Sequence, residues 1–419
     1  MESFRVVVGV DWADEKHAVF LVDQDTGARE ASEVEQTPEA IAEWMASLRE
    51  RFPNTRIAVC IEQTRGGLIY ALMKYEFLVL VPVNPKQLAR FREVVSASEC
   101  KDDPDDAELL AELFVKHGDR FRAWKPADVE TRLLTLLGEE RRHLVDQRTT
   151  LKNRLKSLLK EYFPQALALC DLLHSSLACT LLARWPSLPA LQAANDEEII
   201  QLFRDCHCFS QKQRERRLRI IRDGIPLTTD HAIVTSHQLL VRCIVRQIQD
   251  LNDAIQEYDS HIAEAFHAHS DYTIFQSFPG AGASMGPRLL CAFGTDRDRY
   301  ASAADLQAFS GIAPVTRRSG KSHVVRRRWA CNKFLRQTFH EYAAQSIRFS
   351  TWARAYYLMM KERTGGHNAA LRALAFKWLR ILYRCWKNHQ VYDESTYLES
   401  LRRRNSPLLK YLVAETPDT

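Results

Sequence analysis

The chain has 419 residues, of which 46% are hydrophobic and 26% charged, which is enough for two or three domains with buried cores. No apolar run reaches the roughly 18 residues of a membrane span, and the N-terminus lacks the layout of a secretion signal, so we expect a cytoplasmic protein. The net charge is +5, but residues 1–100 carry 16 acidic and 11 basic side chains, which leaves +10 on the remainder. This asymmetry predicts an acidic N-terminal part and a polyanion-binding C-terminal part.

The first 125 residues alternate between strand and helix patterns. The apolar runs 6–10 and 18–22 predict a hairpin whose buried first strand ends on Asp11, and a second buried strand, 56–61, is followed by Glu62. Helical patterns separate the later strands, so the order predicts a mixed α/β sheet with helices around it. Because sites in open α/β sheets form beyond the carboxyl ends of strands, we expect Asp11 and Glu62 to lie close together.

Four aspartates follow within five residues, in the segment Cys100-Lys-Asp-Asp-Pro-Asp-Asp-Ala107. One interpretation is capping, since Asp103 is a good N-cap and acids in the first turn suit the helix dipole. Capping needs only one or two acids, however, and several carboxylates at one place repel each other unless cations lie among them. Mg²⁺ prefers carboxylate oxygen and also binds nucleic-acid phosphate, so the pattern favours a magnesium-dependent site.

These motifs resemble a known family. Val-Gly-Val-Asp11, Ile-Glu62-Gln-Thr, Val-Asn84-Pro-Lys-Gln and Lys101-Asp-Asp103-Pro-Asp-Asp106-Ala are similar to motifs of the DEDD-type insertion-sequence transposases. This IS-one-ten group includes the Piv-type DNA invertases and the bridge-RNA-guided recombinases. The resemblance implies a RuvC-like, ribonuclease-H fold for residues 1–125, with Asp11, Glu62, Asp103 and Asp106 as catalytic metal ligands.

The acidic motif departs from the family in one respect. The family usually has Lys-Thr-Asp-x-x-Asp-Ala, whereas here Asp102 replaces the threonine and Asp105 precedes the last acid. Which two of Asp102, Asp103, Asp105 and Asp106 bind metal therefore stays open.

Residues 126–270 have the pattern of a helical coiled-coil linker with a small helical insertion. Leu137, Leu144, Leu151 and Leu158 recur every seven residues in the first long helix, and a second apolar stripe runs from His231 to His267. Basic residues cover the other faces of the first helix. They are equally typical of a solvated bundle and of a nucleic-acid-binding face, whose candidate residues are Arg148, Lys152 and Arg154.

Residues 271–419 predict a mostly helical C-terminal domain. Gly280 and Gly282 precede an apolar helix, where backbone N–H groups could approach a phosphate, although a plain turn is about as consistent. Residues 309–328 have the pattern of a loop broken by Gly and Pro, and residues 314–337 hold eight Lys or Arg and no acid. This density favours phosphate contact. The candidate nucleic-acid ligands are Arg317, Arg318, Lys321, Arg326, Arg327 and Arg328.

The family resemblance implies a nucleophilic serine in the same stretch. The motif places it at Ser319, before Gly320, while Ser322 lacks a following glycine and is the weaker candidate. The resemblance as a whole implies a transposase or site-specific recombinase that cuts and rejoins donor and target DNA through a serine–DNA intermediate. It also implies Mg²⁺, a structured non-coding bridge RNA and a homo-oligomer, a dimer or tetramer. The alternatives are a metal-dependent structure-specific nuclease and a non-catalytic nucleic-acid-binding protein.

Overall fold

A computed structural model describes residues 4–62, 66–95, 103–320 and 322–413. The chain forms two compact units that divide between residues 126 and 127. None of the helices in these residues combines the length and the apolar character needed to cross a bilayer.

The N-terminal unit contains a five-stranded sheet and four helices. The strands are β1 (Val6–Asp11), β2 (Lys16–Asp23), β3 (Arg29–Glu35), β4 (Ile57–Ile61) and β5 (Leu78–Pro82). The helices are α1 (Pro38–Arg51), α2 (Gly67–Leu72), α3 (Pro85–Val95) and α4 (Asp103–His117), and a 3₁₀ turn (Gly118–Arg120) follows α4. The predicted hairpin and the buried strand before Glu62 are confirmed. Thr37 caps α1 by accepting a hydrogen bond from the Ala40 amide.

The sheet is mixed, with the strand order β3-β2-β1-β4-β5. The pairs β1–β2 and β2–β3 are antiparallel, whereas β1–β4 and β4–β5 are parallel. The even-numbered residues of β1 pack in a core with α1 and α2, while Val7 packs on the opposite face with α3 and α4. Since side chains alternate along a strand, the odd-numbered residues of β1 all point toward the α3–α4 face.

The C-terminal unit is built mainly from helices. They are α5 (Val129–Tyr162), α6 (Gln165–Leu169), α7 (Ser176–Arg184), α8 (Leu188–Gln192), α9 (Asp196–Asp205), α10 (Gln211–Arg222), α11 (His231–Ala268), α12 (Tyr272–Gln276), α13 (Gly282–Phe293) and α14 (Ala303–Phe309). A hairpin of β6 (Val315–Ser319) and β7 (Ser322–Arg326) precedes α15 (Lys333–Ser346), α16 (Thr351–Thr364), α17 (His367–Lys387), α18 (Glu394–Arg403) and α19 (Leu409–Val413).

The two long helices α5 and α11 pair in antiparallel directions. Arg141 is ion-paired with Asp259 near the middle of the pair, and His237 is 3.0 Å from Glu161 near the C-terminal end of α5. As the residue number rises along α5, that of its partner falls along α11. Coiled-coil packing of the pair stays a prediction.

Two hydrophobic cores lie at opposite ends of this helix pair. One joins Leu155 and Leu159 of α5 and Ile244 of α11 to the short helices of residues 165–221. The other joins Leu134 of α5 and Phe266 of α11 to the helices that follow residue 271. The long helices therefore belong to both cores, which explains why residues 127–413 form one compact unit.

A polar cluster fixes the start of α5 against the end of α11. Asp128 caps α5 by accepting a hydrogen bond from the Thr131 amide at 2.7 Å, and it also accepts one from Thr295. His269 contacts Thr131 Oγ1 at 3.0 Å. Burial would raise the pKa of Asp128, but the hydrogen bonds from Thr295 and Thr131 outweigh burial and lower that pKa to about 2. The Asp128 carboxylate is therefore ionised in the folded protein and takes part in its packing.

The prediction of a loop at residues 309–328 is wrong in part, because these residues contain the β6–β7 hairpin. Val315 pairs with Arg326 and Ser319 with Ser322 in antiparallel register. The β-branched residues on both strands favour this pairing, and Gly320, with a positive φ, follows the last residue of β6. The described side chains of the hairpin are largely exposed.

Helix α4 crosses β1 at Gly9 with almost no space between the two backbones. A Cβ atom added to Gly9 would collide with the carbonyl oxygen of Ala107 and lie 2.8 Å from the Ala111 nitrogen. Both partners in α4 are alanines, the smallest side chains that still favour a helix. The close approach therefore depends on a glycine in β1 and on small residues in α4.

We predict that Gly9→Ala lowers the free energy of unfolding by about 3 kcal/mol or more, because the colliding atoms belong to backbone that cannot rotate away. Thermal unfolding of the full chain measures the change. Gly138→Ala is the control, since Gly138 lies inside α5 with open space around its Cα and should be neutral or slightly stabilising. Equal melting temperatures for Gly9→Ala and the wild type would contradict the packing described.

Candidate active site and nucleic-acid interface

Asp11 and Glu62 follow neighbouring parallel strands at the same edge of the sheet. Val10 pairs with Ile61, so Asp11 and Glu62 occupy the next position on each strand. Both residues are half-buried. By alternation along β1 and β4, both side chains belong to the α3–α4 face, the face of Val7 and Cys60. The structure thus brings together the two acids that the strand pattern predicted as neighbours.

Asp106 lies in the first turns of α4, on the helix that crosses β1 at Gly9. Its side chain is buried, and its Oδ1 accepts a hydrogen bond from Nη2 of Arg92 on α3. Nothing in the sequence indicates this ion pair, because a separation of 14 positions across two helices leaves no periodic signal. The charge of Arg92 compensates the buried carboxylate, which would otherwise be costly in this environment.

The predicted metal quartet is described only in part. Asp102 and the side chains of Asp103 and Asp105 lie outside the described residues. Within the part of the chain that the structure describes, no three His, Cys, Asp or Glu side chains are grouped so that they could hold one metal ion. The predicted ligands described on the α3–α4 face, Asp11, Glu62 and Asp106, are carboxylates, which suit Mg²⁺ rather than a thiolate-preferring metal. Arg92 is ion-paired with one carboxylate oxygen of Asp106.

Ser319 lies at the end of β6, at the tip of the exposed hairpin. The residue is exposed, and Gly320 after it has a φ of +53° with open space where a Cβ would lie. A polar strand end next to a left-handed glycine leaves the hydroxyl accessible to a large ligand. The serine therefore lies at the tip of a hairpin, where the sequence pattern predicted an irregular loop.

The hairpin register divides its cations between two faces. Because Ser319 pairs with Ser322 and Val315 with Arg326, alternation places Arg326 on the same face as Ser319. Arg318 is exposed on the other face. The side chain of Arg317 and all of Lys321 lie outside the described residues.

The basic residues after β7 have different surroundings. Arg327 is exposed and lies over the ring of Trp329, which is itself 75% exposed. Arg328 is half-buried and donates to the Ala313 carbonyl at 3.4 Å. Arg328 therefore joins the two ends of the hairpin, whereas Arg327 and Trp329 present a cation and an aromatic face to solvent.

The glycines before α13 have different roles in packing. Gly280 has a φ of +77°, and an added Cβ would lie 2.9 Å from Phe349 and 3.2 Å from Gln345. Packing alone therefore requires a glycine there. Gly282 is exposed with a φ of +50° and open space around it, and α13 begins at this residue rather than at Met285. The accessible helix N-terminus is thus at Gly282.

The candidate cations of α5 also differ in their environment. Arg148 is half-buried and donates to Asn252 of α11 at 2.8 Å, so it contributes to the pairing of the two helices. Burial, and then the charge of Arg141, lower the pKa of Arg148. Lys152 is half-buried and Arg154 is exposed. Nucleic-acid binding by these three residues stays a prediction.

Comparisons with known proteins match both units of the chain. A family model for DEDD transposases of the IS110 type matches residues 8–164, and a model of the transposase IS116/IS110/IS902 family matches residues 272–358. The first range contains Asp11, Glu62, Asp103 and Asp106, and the second contains Ser319.

Curated relatives match almost end to end. The chain is 31% identical, over 98% of its length and 99% of the relative, to a Streptomyces coelicolor protein assigned as the transposase of the mini-circle IS117. It is 26% identical to the 42 kDa protein of insertion element IS900 from Mycobacterium paratuberculosis, over 93% of this chain and 98% of that one. It is 25% identical to the 44.8 kDa protein of IS116 from Streptomyces clavuligerus, over 93% and 96% of the two chains. The chain therefore belongs to the IS110 family of DEDD transposases.

Proposed function

We propose that this transposase cuts and rejoins DNA through a covalent serine–DNA intermediate, with carboxylate-bound Mg²⁺ and guidance by a structured RNA. The domains proposed are a RuvC-like catalytic domain (1–125), a helical linker with an insertion (126–270) and a C-terminal domain with the nucleophile (271–419). The observation that carries the proposal is the placement of Asp11, Glu62 and Asp106 on one face of the N-terminal sheet. Carboxylates needed only for stability have no reason to lie half-buried at the carboxyl ends of two neighbouring strands, as Asp11 and Glu62 do.

The strand order β3-β2-β1-β4-β5, with its first three strands antiparallel, supports a RuvC-like domain. Asp11, Glu62, Asp103 and Asp106 would hold the metal. Bound Mg²⁺ would supply positive charge that stabilises the attacking and leaving oxygens of a phosphodiester displacement. The chain itself positions the acids, because the contact at Gly9 brings the start of α4 to the end of β1.

Ser319 would act as the nucleophile of the first step. Its Oγ forms a bond to a DNA phosphorus as the bond from that phosphorus to one deoxyribose oxygen breaks, and the hydroxyl proton leaves with a base or solvent. The leaving deoxyribose oxygen takes up a proton and becomes a free hydroxyl. In the second step a deoxyribose hydroxyl of another DNA end loses its proton and bonds to the same phosphorus, while the bond from phosphorus to the Ser319 oxygen breaks and that oxygen is protonated again. Each step exchanges one ester for another, so rejoining requires no nucleotide hydrolysis. Arg326, on the same face of the hairpin but at its base, would contact another phosphate of the same DNA strand.

We predict that Ser319→Ala eliminates a covalent protein–DNA adduct, because the alanine has no oxygen to esterify. Ser322→Ala should leave it, although Ser322 is the direct strand partner of Ser319 and equally exposed. A denaturing gel with labelled DNA measures the adduct. If the adduct survives in Ser319→Ala and disappears in Ser322→Ala, the nucleophile is Ser322. Survival in both variants would place the nucleophile at another residue, and Mg²⁺-dependent cleavage without any adduct in the wild type would favour the nuclease.

Basic side chains of α10 that have no structural role support the proposed RNA partner. In α10, Arg217 is buried and donates to the Leu169 carbonyl, and Arg222 donates to the Ala194 carbonyl, so both are structural. The other basic residues of α10 have no acidic partner among the described residues and are exposed or half-buried: Lys212, Arg214, Arg216 and Arg219. Lys212, Arg216 and Arg219, spaced by four and three residues, lie on one face of α10, and a basic face of this kind is typical of a phosphate-binding surface.

We predict that the purified protein retains a structured non-coding RNA and loses recombination after ribonuclease treatment. Binding of the RNA should weaken with salt. Replacing Lys212 and Arg216 together by Gln should weaken RNA retention several-fold, whereas Arg184→Gln should not, since Arg184 is ion-paired with Glu198 at 3.1 Å. Full recombination by RNA-free protein would contradict RNA guidance.

We further propose that the active form is a homo-oligomer, a dimer or tetramer, because recombination joins several DNA ends at once.

One observation favours a second function. Arg92 occupies one oxygen of Asp106, as expected of a buried carboxylate that is neutralised without a metal. A protein that keeps the fold and binds nucleic acid without cleaving it would tolerate this pair permanently. The transposase function instead requires Asp106 to use its other oxygen or to exchange Arg92 for the cation.

A further inference from the structure

Half-buried arginines of the C-terminal unit commonly have an anionic partner. Arg297 donates to Asp271 at 2.7 Å and 2.5 Å, Arg288 to Glu341 at 2.5 Å, and Arg141 is ion-paired with Asp259. Pairing of this kind is expected, since a guanidinium removed from water needs acceptors. Buried arginines that lack such a partner therefore require another explanation.

Three arginines around His340 lack an anionic partner, namely Arg327, Arg336 and Arg372. Arg336 and His340 lie one turn apart on α15, Arg372 lies on α17, which packs against α15, and Arg327 follows β7 directly. Arg336, His340 and Arg372 are half-buried, and Arg327 is exposed. None of the ion pairs found in residues 127–320 and 322–413 involves Arg327, Arg336 or Arg372.

The charges of this cluster act on one another. Burial, and then the charges of Arg372, Arg327 and Arg336, lower the pKa of His340 to about 4, so its ring is neutral at pH 7. Burial, and then the charges of Arg327 and Arg336, also lower the pKa of Arg372. The groups that shift these two pKa values are arginines alone. The half-buried guanidinium of Arg372 is thus repelled by those of Arg327 and Arg336, and a bound anion would remove that repulsion.

The position of Arg336 is fixed without a carboxylate. Gly311 has a φ of +72°, and an added Cβ would collide with Cys331 Sγ. Cys331 Sγ in turn lies 3.4 Å from Arg336 Nη1, which donates to it. A thiol is a weak acceptor, so this contact orients the guanidinium while leaving its remaining donors for a stronger one.

The register of the hairpin separates this cluster from Ser319. Arg326 pairs with Val315 at the base of the hairpin, and Ser319 lies four residues further along β6, about 14 Å at the rise of a β-strand. Arg327 follows Arg326 at that base. An anion held by the cluster is therefore a different group from a phosphate in contact with Ser319.

We propose that Arg327, Arg336 and Arg372 form a phosphodiester-binding site that holds a non-reacting phosphate of the DNA. The existence of an anion site follows from the cluster itself, and its assignment to DNA rests on the proposed function. The site fixes the register of the strand on the hairpin and so places another phosphate at Ser319. Charge-assisted hydrogen bonds from planar guanidinium groups are well suited to phosphate.

Thermal unfolding of the full chain tests the anion site, with inorganic phosphate and sodium chloride compared at equal ionic strength. Phosphate should raise the melting temperature of the wild type by about 2 °C or more, as expected of a ligand that binds the folded state. Arg372→Gln should melt higher than the wild type in chloride, because it removes repulsion, and should lose the response to phosphate. Arg336→Gln should behave alike. Arg184→Gln, a paired arginine outside the cluster, should keep the response.

A purely structural role for these arginines gives the opposite signs. A melting temperature of Arg372→Gln below that of the wild type in chloride, or a phosphate response that persists in it, would overturn the anion site. So would the absence of any phosphate-specific response in the wild type.

Binding of a short mixed-sequence duplex tests the assignment to DNA. The association constant K is measured at several salt concentrations. The slope of log K against the logarithm of salt concentration should be smaller in magnitude by about one in Arg372→Gln, as expected for one lost phosphate contact. A fall confined to RNA of the same sequence would overturn the assignment to DNA. Because this assay measures binding without cleavage, it also separates the two proposals: the slope can change even if the Ser319 adduct is never found.

Discussion

The contact between Gly9 of β1 and the backbone of α4 is the constraint on which the candidate active site depends. Asp11 lies two residues after Gly9, and Asp106 directly precedes Ala107, the residue that Gly9 touches. Any side chain at position 9 would push the helix away from the strand. The site is therefore held by backbone packing at its centre, and its acidic side chains need not attract each other. This arrangement suits carboxylates, which would repel each other at close range.

The basic residues of the C-terminal unit fall into two physical classes. Those such as Arg148, Arg217 and Arg297 donate to amide, carbonyl or carboxylate oxygens within the chain and hold helices together. Those of the cluster at Arg336 and Arg372 face other cations, so the free chain bears a repulsion that an anionic ligand would relieve. If nucleic acid binds this cluster, as proposed, its binding stabilises the folded protein at the positions where it is recognised. Positive charge in the sequence cannot reveal which class a given arginine belongs to.

Much of the fold could be predicted, and less of the site. Alternating and continuous apolar runs indicated the five-stranded sheet, the two long helices and the positions of Asp11 and Glu62 at strand ends. The pairing of Arg92 with Asp106 and the meeting of Arg327, Arg336 and Arg372 could not be predicted. Both depend on tertiary packing between elements whose relative placement has no periodicity in sequence. The β6–β7 hairpin was missed because its glycine, proline and arginines resemble a solvated loop, although its β-branched residues favour strands.

The central claim is that the acids of the N-terminal unit and Ser319 take part in one reaction. The most direct measurement is the amount of covalent protein–DNA adduct formed by Asp11→Asn and by Glu62→Gln, and by the wild type with Mg²⁺ or with EDTA. Each substitution removes a carboxylate charge with little change in shape, so DNA binding should stay near that of the wild type. The account predicts that both variants, and the wild type in EDTA, lose the adduct. An adduct at the wild-type level in Asp11→Asn or in EDTA would contradict it.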